Sequence, residues 1–120
     1  MLGNGSNDIL ELVGHAFLRP GTSAVYARHS FAVYPLATQA YGAQGIEVPA
    51  VDFGHDLDAM ARAVTPETRV IFVANPNNPT GTFASESTVA RFLDAVPPEV
   101  IVVLDEAYNE YLPREQRYDS

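Results

Sequence analysis

Apolar residues along the chain follow two spacings in turn. Ile9, Leu12, Val13, Ala16 and Phe17 fall on one face of a helix, and Arg19-Pro20-Gly21 stops it, so the spacing predicts a helix over 6–18. Residues 23–27 then read as a short strand. Residues 32–43 read as a helix that tolerates Pro35 in its first turn, where a missing N–H costs nothing. Residues 46–50 read as a second strand, with Pro49 marking an edge or an end. A helix over 57–64, capped by Asp56, would turn Leu57, Met60, Ala61 and Val64 inward. Residues 69–74 form a third apolar strand, and a helix over 86–95, capped by Ser85, would bury Val89, Phe92 and Leu93. Finally five aliphatic residues, Val100 to Leu104, run without a break and stop at Asp105. A β-branched run that short reads as a strand buried on both faces.

Strand and helix alternate three times. That order predicts an α/β fold, a mostly parallel sheet with helices on both faces. In such a sheet the loops after the strands gather at one edge, where ligands bind. Those loops carry Phe31, the turn-forming run Asn75-Pro76-Asn77-Asn78-Pro79-Thr80-Gly81, and Asp105 to Tyr108. The Gly5-Ser6-Asn7 turn joins them if a strand precedes it.

Composition narrows the function. The 120 residues are 47% hydrophobic and 18% charged, enough for one domain with a core. A net charge of −8 argues against a nucleic-acid partner. No apolar run approaches the roughly 20 residues of a membrane span. There is no cysteine, which fits a cytoplasmic protein, and every one of the seven basic residues is arginine. His15, His29 and His55 lack ligand spacing, so a metal site is not expected; His15 and His55 read as solvated and His29 as a loop residue.

The groups gathered at the sheet edge are chemically coherent. A helix N-terminus opening from a glycine turn is an anion site. An aromatic ring beside it can stack on a flat ligand, and a carboxylate can hold a protonated ring nitrogen. Together they suit a planar, phosphorylated, nitrogen-containing cofactor. Each also has an ordinary reading: a turn and cap at Ser6, loop packing at Phe31, solvated acids at Asp105-Glu106.

Asn77-Asn78-Pro79-Thr80-Gly81 followed by Asp105-Glu106-Ala107-Tyr108 resembles the fold-type I aminotransferases that use pyridoxal 5'-phosphate. Gly3-Asn4-Gly5-Ser6-Asn7, the stretch from Ser30 to Pro35 and the stretch from Gly54 to Met60 are similar to the histidinol-phosphate branch. The resemblance covers about residues 2–112. It implies that Ser6 and Asn7 bind the cofactor phosphate, Phe31 stacks on the pyridine, Asn78 and Tyr108 meet the phenolic oxygen, and Asp105 keeps the ring nitrogen protonated. It implies a cis Asn78–Pro79 bond, an amino-acid or amino-phosphate substrate with a 2-oxo acid as partner, and a homodimeric parent. Aromatic-amino-acid aminotransferases and threonine-phosphate decarboxylases share the same cradle, and a non-catalytic phosphate-ligand module is the alternative of another class.

The resemblance also implies a lysine amine as the reacting group, and this chain has no lysine. The expectation is therefore an internal piece of a large domain, lacking the N-terminal arm, the first strand, the lysine-bearing segment and the C-terminal small domain, and inactive alone. Missing neighbours should leave apolar surface exposed.

Overall fold

The computed structural model describes residues 2–118. Four helices and four strands alternate: α1 (Ser6–Phe17), β1 (Ser23–Ala27), α2 (Val33–Ala40), β2 (Gln44–Val48), α3 (Leu57–Arg62), β3 (Thr68–Ala74), α4 (Glu86–Ala95) and β4 (Ile101–Asp105). The sheet is all parallel in the order β2-β1-β3-β4. Period-two alternation sorts the central strands onto two faces. Val25 and Ala27 of β1 and Ile71 and Val73 of β3 join Leu57, Met60, Val89 and Phe92 in the core under α3 and α4. Ala24 and Tyr26, with Val70, Phe72 and Ala74, join Leu10 and Tyr34 in the core under α1 and α2. Helices therefore cover both faces, and the direction of chain travel reverses between β1 and β3, the position where open α/β sheets form their ligand crevice.

Both expected caps form. Asp56 accepts the Ala59 N–H at 2.8 Å and Ser85 accepts that of Thr88 at 3.3 Å. At α1 no side chain of Ser6, Asn7 or Asp8 caps the helix. The N-cap is Gly5, at φ +80°, and Asp8 reaches back to the Asn4 N–H at 2.8 Å. A glycine is suited to that left-handed φ.

Four local expectations are corrected. The α1 core face is Leu10, Val13 and Gly14, and Leu12, Ala16 and Phe17 are exposed. Gly14 sets that rotation: a Cβ there would sit 2.7 Å from the Tyr41 ring, so α1 meets α2 through its bare backbone. Strand β2 begins two residues earlier than 46 and ends before Pro49, with Gly45 paired to Ala24 inside it. On α4, Leu93 is 42% exposed while Val89 and Phe92 are buried. Finally β4 is not buried on both faces. Ile101 is 37% exposed and Val102 to Asp105 are half-buried, because β4 pairs only with β3 and lies at the sheet's edge.

Exposed apolar side chains are present as expected: Leu36, Phe53 and Tyr111 are 61%, 67% and 85% exposed. No helix among the described residues is long and apolar enough to cross a membrane.

Candidate active site at the sheet edge

The loop after β3 is held by its own asparagines. Asn75 Nδ2 donates to the Ala84 carbonyl (2.9 Å) and to the Tyr118 hydroxyl (2.6 Å), while Asn75 Oδ1 accepts the Ala84 N–H (2.8 Å). Asn77 Nδ2 donates to the His29 carbonyl (3.0 Å) and to Thr80 Oγ1 (2.6 Å), tying this loop to the one after β1. Both Asn75–Pro76 and Asn78–Pro79 are cis. With two asparagines committed to the scaffold, Asn78 is left facing the sheet edge, where its side chain forms no hydrogen bond among the described residues.

His55 braces the same loop from below, which corrects its reading as a solvated residue. Its Nε2 lies 2.9 Å from the carbonyl of Ala74, the residue just before the loop, and its Nδ1 is buried with no partner among the described residues. Burial pushes the imidazole pKa down, outweighing the upward pull of the Ala74 carbonyl. The folded state thus holds a neutral ring, with the proton on Nε2. Below the unfolded value of about 6.5 the unfolded chain binds a proton that the folded one resists. The stability from this group is full above that pH and is lost as pH falls toward the lowered folded value. Thermal unfolding at pH 7 and pH 5 should show a smaller loss of Tm in His55→Gln than in the parent; equal losses would remove His55 from the account.

Five of the six residues picked from the sequence come together. Ser6, Phe31, Asn78, Asp105 and Tyr108 line one cavity of about 50 Å³ with Ala74, Pro76 and Ala107. Ser6 brings the open first turn of α1, Phe31 comes from the β1–α2 loop, and Asn78 and Tyr108 follow β3 and β4. Asn7 does not line the cavity; its side chain is exposed. A wider groove of about 430 Å³ continues past Asn78 and Tyr108 to Pro79, Tyr111 and Leu112.

Asp105 stands at the end of β4 opposite Ala74, and its backbone carbonyl accepts the Asn75 N–H at 3.0 Å. Among the described residues its carboxylate meets only neutral donors. Tyr34 O–H donates to Oδ2 at 3.0 Å and the Ala107 N–H reaches Oδ1 at 3.3 Å. The ion pairs of the described residues are Arg28–Glu47 and Arg91–Asp58, both on the exposed surface. A half-buried carboxylate with no cation beside it among the described residues is a ready partner for a positively charged ligand group.

Tyr34 is the residue that sequence reasoning passed over. It is fully buried, stacked on Phe72 (5.0 Å, 4°) and edge-on to Phe31 (5.9 Å, 88°). Burial first, then the Asp105 charge and its hydrogen bond, push the phenol far above its usual range, so it stays a donor. The available signal was position: Tyr34 stands in the first turn of α2, directly after the loop that carries Phe31 to the sheet edge.

The family described as aminotransferase class I and II matches residues 1–120. The chain belongs to this family. Among curated relatives of this aminotransferase chain, histidinol-phosphate aminotransferase 2 of Ralstonia nicotianae is 66% identical over 119 residues, 99% of the chain and 32% of the relative. Histidinol-phosphate aminotransferase of Methylobacillus flagellatus is 63% identical over 120 residues, again 32% of its length. Among solved structures, histidinol-phosphate aminotransferase from Sinorhizobium meliloti in complex with pyridoxal-5'-phosphate superposes with a TM-score of 0.90 at 28% identity, covering 96% of this chain and 32% of that one. The aminotransferase chain therefore spans about a third of the length of the relatives it matches.

Proposed function

We propose that this chain is the cofactor-binding portion of the large domain of a pyridoxal 5'-phosphate-dependent histidinol-phosphate aminotransferase, exchanging an amino group between histidinol phosphate and 2-oxoglutarate. The observation that carries the reading is the convergence, on one cavity, of a carboxylate held only by neutral donors among the described residues, an amide, a phenol, an aromatic ring and an open helix N-terminus. The name shared by the curated relatives reported above supports the substrate.

The donor set fits the cofactor by charge and type. Asp105 would face the protonated pyridine nitrogen, Phe31 the ring face, Asn78 and Tyr108 the phenolic oxygen, and the first turn of α1 at Ser6 the phosphate. Asn7 belongs to this set through its place in that turn. When bound, the cofactor supplies an electron sink for the substrate's α-carbon. The chain's own work is placement: Asp105 holds a proton on the ring nitrogen, and the cross-linked loop after β3 fixes the angle of Asn78. The reacting amine would come from outside these residues, since they include no lysine. A cytoplasmic homodimer is part of the proposal. Exposed Leu36 and Tyr111 are surfaces that the rest of the protein or a second subunit would cover.

The test is amino transfer by the full-length protein with histidinol phosphate and 2-oxoglutarate, against aromatic amino acids and threonine phosphate. Glutamate formation fastest with histidinol phosphate is expected, and borohydride reduction should fix the cofactor to a lysine outside this chain. Preference for another donor would replace the substrate; no cofactor uptake would end the reading.

A further inference from the structure

From the geometry we infer that Tyr34 is a positioning residue for the reaction: its buried hydroxyl aims the Asp105 carboxylate and keeps the proton of that pair on the ligand's ring nitrogen. The inference rests on the cofactor reading above and extends it to a residue that does not line the cavity.

The hydroxyl lies 3.0 Å from Oδ2, across 71 residues of sequence. Nothing about the ring lets it move away. Phe72 of the central strand β3 lies parallel to it, and Phe31 closes against its edge. Both Tyr34 and Phe72 are fully buried. A buried phenol needs an acceptor, and Asp105 Oδ2 is the acceptor this one has. The bond therefore fixes the rotation of the carboxylate about its last torsion, one that side chains otherwise leave broad.

The same bond keeps the negative charge aimed. A charge-assisted hydrogen bond depends on the acceptor lying in line with the donor. Without the hydroxyl, Asp105 would be freer to turn away from the ring nitrogen, and the proton there would lose part of its ion-pair partner. Because Tyr34 also touches Phe31, one side chain supports both the edge contact and the face contact proposed for the ring.

The experiment uses the full-length protein loaded with cofactor labelled with ¹⁵N in the pyridine ring. Tyr34→Phe keeps the ring and removes one oxygen. Its nitrogen resonance is expected to move toward the unprotonated position, and kcat to fall about 10–100-fold with little change in KM, the range seen when an outer hydrogen bond behind a metal-ligating side chain is removed. Asp105→Asn should move the nitrogen further, and adding Tyr34→Phe to it should change little more, since the two groups act as one. A lowered Tm in Tyr34→Phe with nitrogen and kcat unmoved would mark Tyr34 as a packing residue and overturn the inference while leaving the cofactor reading intact. An unmoved nitrogen in Asp105→Asn would instead sink the cofactor reading, and this inference with it. If Tyr34→Phe does not fold, Phe72→Leu decides. By loosening the ring while keeping its hydroxyl it should give a smaller shift in the same direction, and no shift would count against the inference.

Discussion

Asp105→Asn in the full-length protein is expected to lower kcat by about 10²–10³-fold, the effect of removing one preorganised electrostatic partner from a site where charge develops. The substitution changes one oxygen to an amide nitrogen and removes the negative charge. The amide carbonyl can still accept the Tyr34 hydroxyl, and the backbone link from the Asn75 N–H to the carbonyl of residue 105 is untouched. The fold should survive, with Tm close to the parent's. Asp105 makes no ion pair among the described residues, so its loss leaves no arginine stranded. What is lost is the partner of a cation. Steady-state rates and circular dichroism on the same preparation separate the two quantities, and unchanged turnover would show that Asp105 is not opposite the ring nitrogen.

The reason Asp105 was legible in the sequence is local. Five aliphatic residues ending in an acid mark a strand end, and strand ends in a parallel sheet share an edge. Phe31, Asn78 and Tyr108 were legible for the same reason, each lying in a loop that must reach that edge. The order of strands was not. Nothing local says that β3 returns beside β1 and leaves β2 and β4 outside, and so the burial of β4 was overread. Edge position depends on which strands pair, a property of the whole chain. The face of α1 was misread because Gly14 offers no apolar side chain to count, although its bare backbone is what makes room for the Tyr41 ring. Tyr34 was missed because its partner lies 71 residues away. His55 was misread for a related reason: a histidine in a polar stretch looks solvated until the Ala74 carbonyl is brought over it.

Phe72→Ala should cost roughly 3–5 kcal/mol of stability, the range for emptying a buried phenylalanine site, and should damage the site as well. Phe72 is fully buried at the centre of β3, on the face toward α1 and α2. Its ring is the flat surface against which Tyr34 lies, and Tyr34 holds Asp105. Phe92→Ala is the control. It removes an equally buried ring from the opposite face, under α3 and α4, where it touches none of these groups. Denaturant unfolding should therefore show similar losses for the two variants. Turnover, measured well below both melting transitions, should fall in Phe72→Ala and hold in Phe92→Ala. Equal turnover in both would mean that Tyr34 keeps its place without Phe72. A loss confined to Phe72→Ala would mean that one face of the sheet serves stability alone, while the other carries the aromatic stack that runs from the central strand to the carboxylate.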